Sequence, residues 1–198
     1  MKVAIIKYVA GNIYSVTSAF KRLGVEPIVT DDHQEIMDAD CVIFPGVGEA
    51  ESAMNYLKEK GLDTLIPTLK QPFLGVCLGM QLLCQHSEEN DVDCFGTMAH
   101  DVKRFPPEDK VPHMGWNTIT SNPNHPLFKD LSKDAYFYFV HSYYVELGAS
   151  TIATTDYILP FTAAMQKDNF YAVQFHPEKS GSDGETILKN FLALVPKA

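Results

Sequence analysis

The stretch Phe73-Leu74-Gly75-Val76-Cys77-Leu78-Gly79-Met80-Gln81 decides how this chain is read. An apolar strand-like run enters it and a helix-like run, Met80-Gln81-Leu82-Leu83-Cys84, leaves it, with a Gly-x-Cys-x-Gly turn between them. A strand-to-helix turn this tight holds its central residue under backbone strain. The flanking glycines are needed because side chains there would collide with the neighbouring strand and helix. Cys77 is therefore expected at the carboxyl end of a strand, with the first amides of a helix beneath it, a position that favours the reactive thiolate. A cysteine alone is more often core than chemistry. The two spaced glycines, the strand before and the helix after take Cys77 out of that class.

Working outward, the run Tyr171-Ala172-Val173-Gln174-Phe175 delivers His176-Pro177-Glu178 to another strand end. Side chains two apart on an extended chain point the same way, so Glu178 can hold the His176 imidazole, and Pro177 restricts the backbone between them. The pair lies roughly a hundred residues beyond Cys77, the separation expected of partners that meet only in the fold. Upstream, Pro45-Gly46-Val47-Gly48 directly follows the apolar run Cys41–Phe44 and so falls at the same sheet edge. A cysteine acyl-transfer site needs two donors for a tetrahedral oxyanion. The Leu78 N–H, just after the nucleophile, is one, and the loop around Val47 supplies the second. Glycines on both sides of Val47 make a peptide rotation there sterically cheap.

The first half of the chain alternates strand and helix. Val3–Ile6 reads as a strand, Val16, Ala19, Phe20 and Leu23 share a helical face that Gly24 ends, and Pro27–Thr30 and Cys41–Phe44 are further strands. A helix from about Ala50 to Lys60 closes at Gly61 before the strand Phe73–Val76. This order predicts a parallel sheet with right-handed crossovers. The second half is richer in strands: Ala99–Phe105, Trp116–Thr120, Ala135–Val140, and a hairpin of Phe161–Gln166 with Phe170–Phe175 around Lys167-Asp168-Asn169. A last helix runs from Glu185 to Leu194. No repeat, low-complexity segment or linker divides residues 1–198, so one α/β domain is expected.

With 45% hydrophobic and 21% charged residues the composition is ordinary for a soluble globular protein. A formal charge of −9 and the lack of a Lys/Arg cluster argue against a nucleic-acid surface. No apolar run is long enough to span a bilayer, and the N-terminal run is too short for a signal peptide, so no membrane partner and a cytoplasmic location are expected. Cys41, Cys77, Cys84 and Cys94 carry no C-x-x-C spacing, which suggests neither a zinc site nor a disulfide framework. Cys84 reads as core. His113 alone reads as a structural hydrogen-bonder, and His33, His86, His100 and His125 have no partners in sequence.

Pro45-Gly46-Val47-Gly48, Gly75-Val76-Cys77-Leu78-Gly79-Met80-Gln81 and His176-Pro177-Glu178-Lys179 together resemble the class I glutamine amidotransferases, in the family's order across nearly the full length. That resemblance implies a flavodoxin-like α/β fold, with a central, mostly parallel mixed sheet flanked by helices and a Cys-His-Glu triad. Within the class the chain is most similar to the glutaminase subunits of imidazole glycerol phosphate synthases. Met80 (where many relatives have His), Pro112-His113-Met114-Gly115-Trp116-Asn117 and Tyr136-Phe137-Tyr138-Phe139-Val140-His141-Ser142-Tyr143 carry the closer match.

The resemblance implies that Cys77 attacks the carboxamide of L-glutamine, His176 handles protons and Glu178 orients it. Gly46, Gly48, Gln81, Ser142 and Tyr143 would hold the substrate. Asn12, Trp116, Asn117 and Tyr136 would serve the partner interface and the ammonia passage, with no cofactor and no metal. The implied partner, in a heterodimer, is a (β/α)8-barrel cyclase subunit that takes the ammonia. It combines the ammonia with a phosphoribulosyl-formimino carboxamide ribotide, giving imidazole glycerol phosphate and an aminoimidazole carboxamide ribotide in histidine biosynthesis, a lyase-type synthase reaction.

The chain departs from the family where Asp-Tyr-Gly usually ends the first strand; here it reads Lys7-Tyr8-Val9-Ala10-Gly11-Asn12. Ser87–Phe95 matches poorly and receives no role. Three other readings compete. A glutaminase of anthranilate or aminodeoxychorismate synthase lacks the Pro-His-Met-Gly-Trp-Asn stretch. A non-enzymatic flavodoxin-like module would be free to lose His176 and Glu178. A related cysteine protease does not favour an amide side chain, as the Pro-Gly-Val-Gly and His-Pro-Glu signatures do.

Overall fold

Val3–Ile6, Cys41–Phe44 and Phe73–Val76 are buried along their whole length, as runs with no polar face must be. In the computed structural model, which describes residues 1–8 and 12–196, they form the middle of an eight-stranded sheet. Val9 and Gly11, singled out in the first βα loop, lie outside the described residues. Across the sheet the strands run Ile28–Thr30, Val3–Ile6, Cys41–Phe44, Phe73–Val76, Phe170–Val173, Leu159–Lys167, Thr151–Tyr157 and Thr120–Ser121. The first five are parallel to one another and the last three join by antiparallel pairing. This is the mostly parallel mixed sheet that the strand–helix alternation predicts.

Alternate residues of each central strand feed two cores. Ala4, Ile6, Val42 and Phe44 point to one face, where the helix Ala50–Glu59 packs Ala53, Met54 and Leu57. Val3, Ile5, Cys41 and Ile43 point to the other, covered by Val16, Ala19 and Phe20 of the helix Ile13–Arg22 and by Ile187, Leu188 and Phe191 of the helix Gly181–Leu192. That last helix, expected from Glu185, begins four residues earlier at Gly181. Gly184 lets the helix press against the preceding turn, since a Cβ there would overlap the Pro177 carbonyl. The helix thus braces the segment carrying His176.

The second half departs most from expectation. The strand expected at Trp116–Thr120 is instead His113–Thr118, followed by Thr120–Ser121 in the main sheet. His113–Thr118 pairs antiparallel with Tyr136–His141 as a separate two-stranded sheet. A further small sheet joins Tyr143–Val145, Asp101–Arg104, His86–Ser87 and Val92–Asp93. Most of these strands are two to four residues long, too short for a periodic pattern to register. Among the described residues no helix is long and apolar enough to cross a membrane.

Two imidazoles lock the small sheet to the core. His141 Nδ1 lies 2.7 Å from the Tyr143 carbonyl, which can only accept, so Nδ1 carries the proton and Nε2 accepts from His113 Nδ1 at 3.2 Å. His113 stacks on Phe139 and Tyr157. Burial pushes His113 down to about 4 and His141 to about 3, from an ordinary 6.5. Both rings are neutral in the fold, whereas in the unfolded chain they take up protons below pH 6.5, so this contribution to stability is complete above that pH and is lost as pH falls towards 4. Urea midpoints are accordingly expected to drop from pH 6.5 to 4. His113→Gln, with one fewer titrating ring, is expected to drop less steeply.

Candidate active site

Cys77 follows the strand Phe73–Val76 with φ 52° and ψ −107°, outside the ordinary left-handed well. Its N–H donates to the Val173 carbonyl at 2.8 Å, and its own carbonyl accepts from the N–H groups of Met80 and Gln81. The glycines around it are fixed by close approach. A Cβ on Gly75 would stand 2.7 Å from the Gly79 carbonyl oxygen, and one on Gly79 would overlap the Phe44 carbonyl. The expected helix is shorter than its sequence suggests: it covers only Leu78–Gln81, Leu82 closes it with a bond to the Leu78 carbonyl, and Leu83 and Cys84 continue with i→i−3 hydrogen bonds. A helix of four residues has little macrodipole, so the electrostatics of Cys77 rest on individual neighbours.

The main such neighbour is His176. Its strand ends at Val173, and Pro177–Lys179 form a 3₁₀ turn in place of the extended chain expected there. The turn still brings the two side chains together, with His176 Nδ1 donating to Glu178 Oε1 at 2.9 Å and both side chains 1% exposed. The backbone is clamped as well. His176 N–H donates to the Tyr138 carbonyl, and the Ser180 hydroxyl donates to the His176 carbonyl at 2.6 Å. Burial alone would lower the basicity of His176, but Cys77 and Glu178 outweigh it and raise the imidazole to about 10. Among the described residues Nε2 has no hydrogen-bond partner, and Cys77 is near enough to raise the basicity of the ring.

Asn12 stands at the start of the helix Ile13–Arg22 without capping it, because its side-chain amide donates to Glu178 Oε1 at 2.6 Å. The interface role read for Asn12 is thus accompanied by a direct hold on the carboxylate behind His176.

Cys77 opens onto a pocket of about 300 Å³, whose wall includes Val47, Gly48, Leu78, Gln81, Ser142 and Tyr143. Gly46 lies directly over the turn, where a Cβ would come 2.6 Å from the Leu78 nitrogen. Gly48 has φ +134°, a conformation that side chains resist. The pocket wall also holds Glu89, from a segment that sequence reading left without a role. Its carboxylate accepts from the Ala50 N–H at 2.9 Å; burial, and then Glu49, raise its pKa against that hydrogen bond. Nothing in the polar loop around Glu89 announces this position. Trp116, Asn117 and Tyr136 lie together on the two-stranded sheet, where Trp116 and Tyr136, with Met114 beside them, are more than half exposed. Among the described residues no group of three or more His, Cys, Asp and Glu side chains could hold a metal ion.

Comparison with known proteins gives the family of the chain. The family model "Glutamine amidotransferase class-I" matches residues 4–195. "Imidazole glycerol phosphate synthase subunit HisH" of Bacteroides fragilis is 62% identical over 197 residues, covering 98% of this chain and 100% of that protein. The protein of the same name from Escherichia coli K12 is 47% identical over 196 residues, again covering 98% of this chain and all of its own length. Among solved structures, a glutamine amidotransferase superposes with a TM-score of 0.74 at 19% identity, covering 98% of each chain. Another, from Thermotoga maritima, does so at 0.70 and 15%, covering 100% of this chain and 99% of its own. At such identities these structures speak for the fold alone.

The crowding at the turn makes a prediction independent of any activity. Gly79→Ala must push the turn away from the Phe44 carbonyl and is expected to destabilise the fold by about 1–3 kcal/mol, read from the urea midpoint. Gly24→Ala, at a surface position with open space around it and φ +78°, serves as the reference for strain without overlap.

Proposed function

This chain belongs to the class-I glutamine amidotransferase family, and on that premise we propose that it is the glutaminase subunit of an imidazole glycerol phosphate synthase. It would hydrolyse L-glutamine to glutamate and ammonia for a cyclase subunit. The observation that carries the chemistry is the arrangement of His176. One ring nitrogen is fixed on Glu178, the other is left open, and Cys77 beside it faces a pocket.

The proposed sequence begins with transfer of the Cys77 proton to His176 and attack of the sulfur on the side-chain carboxamide carbon. The N–H groups of Leu78 and Val47 receive the oxyanion. Collapse breaks the C–N bond, His176 returns its proton to the leaving nitrogen, and ammonia departs from a glutamyl thioester. Water, deprotonated by His176, then hydrolyses the thioester and restores the thiol. Glu178, itself held by Asn12, keeps Nδ1 protonated so that Nε2 faces the reaction. Glu89 supplies a negative charge for the substrate's α-ammonium group, and Gln81 with the Ser142–Tyr143 backbone holds the rest of its head group. The exposed patch of Met114, Trp116 and Tyr136 is the surface we assign to a (β/α)8-barrel cyclase in a heterodimer, whereas Asn117, on the opposite face of its strand, donates to the Asp156 carbonyl.

Three expected outcomes test this reading. Cys77→Ala should lower glutamine-dependent synthesis by at least about a thousandfold while leaving ammonia-dependent synthesis by the complex nearly unchanged; joint loss would sink the assignment. His176→Ala should cost a comparable factor and Glu178→Gln less, because the carboxylate orients and does not react. The chain alone should be a poor glutaminase beside the complex loaded with cyclase ligand, with the Pro45–Gly48 loop resting with one oxyanion donor turned away. A single such donor is worth about a hundredfold or more in rate. Equal steady-state rates for the lone chain and the loaded complex would reject that gating.

A further inference from the structure

Gln174 ends the run that leads to His176, and it is completely buried. A buried primary amide costs stability unless its donors and acceptor are satisfied, so its neighbours define its task. Its Nε2 lies 3.5 Å from Cys77 Sγ, and its Oε1 accepts from Gln81 Nε2 at 3.1 Å. The orientation of both amides follows from one carbonyl. The Tyr143 oxygen can only accept, so the Gln81 atom 2.9 Å away must be its NH₂ group. The same NH₂ group faces Gln174, which must therefore present oxygen to Gln81 and its own NH₂ group to the sulfur. The Tyr143 carbonyl is in turn held by His141 Nδ1. The Tyr143 carbonyl thus accepts from both His141 and Gln81, and the second donor of Gln81 fixes Gln174 with its own NH₂ group towards Cys77.

The sulfur also lies 3.9 Å from the Val140 carbonyl, an acceptor for a thiol proton. Transfer of that proton to His176 removes the contact with Val140 and leaves the Gln174 N–H as a donor to the resulting anion. An amide does not titrate, so it donates across the working pH range.

We propose that Gln174 is a hydrogen-bond donor to the Cys77 sulfur, locked in the donating orientation by Gln81, and that it stabilises the sulfur in its charged form. The proposal rests on the reading of Cys77 as nucleophile. It gives Gln81, on the pocket wall, a second task as the residue that sets the orientation of Gln174.

The test is alkylation of the full chain by iodoacetamide from pH 5 to 10, with the Cys77 peptide followed by mass spectrometry. Gln174→Met keeps the volume and removes the donor. It should label Cys77 about tenfold more slowly at neutral pH, the size expected for losing a hydrogen bond to a charged group, with the two rates converging in alkali. Gln174→Glu, which still accepts from Gln81 but offers no N–H when ionised, should label more slowly again. In the complex both variants should lose glutamine-dependent kcat and keep ammonia-dependent synthesis, which reports an intact fold. Wild-type labelling rates at every pH in Gln174→Met would overturn the proposal. If wild-type Cys77 labels no faster than Cys41, Cys84 or Cys94, the nucleophile reading falls first and takes this one with it.

A measurement on the unaltered chain covers the case in which neither variant folds. The Gln174 side-chain ¹⁵N resonance should move with pH in the wild type and stay still in Cys77→Ala, and a resonance that ignores the cysteine would also overturn the proposal.

Discussion

The rest of the site depends on three backbone segments approaching more closely than side chains allow. Gly46, Gly75 and Gly79 lie where the loop after one strand, the strand before Cys77 and the helix after it meet. A β-carbon at any of these positions would separate the layers and lift Cys77 away from the Leu78 N–H and the loop above it. The contact also explains why Cys77 tolerates an unfavourable φ and ψ. Its N–H and carbonyl are bonded on both sides, and the packing leaves no room for relaxation. Strain at one residue is therefore maintained by glycines at three others.

Parallel pairing does the remaining assembly. Val76 is in register with Val173, so the segments that follow, Cys77 on one strand and Gln174 to His176 on the next, emerge side by side at the carboxyl edge. A separation of nearly a hundred residues in sequence collapses to adjacent strands. The Pro45–Gly48 loop emerges one strand further along, from Cys41–Phe44. This is the edge at which open α/β sheets place their ligand sites, because their connecting loops converge there.

The same geometry separates what the sequence made legible from what it did not. The central strands are short apolar runs bounded by turn residues, and Cys77 carries its glycines with it, so the sheet and the candidate nucleophile could be read locally. His176 and Glu178 were legible as a pair, although the reason given was wrong: they meet across a 3₁₀ turn and not along an extended strand. Gln174 was in plain view yet had no meaning without register, since only the pairing of Val76 with Val173 makes it a neighbour of the sulfur. Glu89, and the hold of Asn12 on Glu178, were hidden for a similar reason. Each acts across 39 or more residues, on Ala50 and Glu178, through contacts that no periodicity encodes. The short strands of the second half are held by tertiary pairing more than by propensity.

Tyr8 narrows what can move in such a site. Its ring packs on Phe44, and its hydroxyl donates to the Pro45 carbonyl at 2.6 Å, with burial and the nearby Cys77 raising its pKa well above the usual range. Pinning that carbonyl fixes the plane of the Pro45–Gly46 peptide, and Gly46 is further confined by the Leu78 amide beneath it. Any reorientation of the loop is then left to the peptides on either side of Val47, where Gly48 already occupies a conformation open to glycine. On the proposed reading, the donor from Leu78 is built into the rigid turn, whereas the donor from Val47 belongs to one of these two less confined peptides. A partner that shifts only this peptide could change the rate of hydrolysis without disturbing the nucleophile, its base or the pocket.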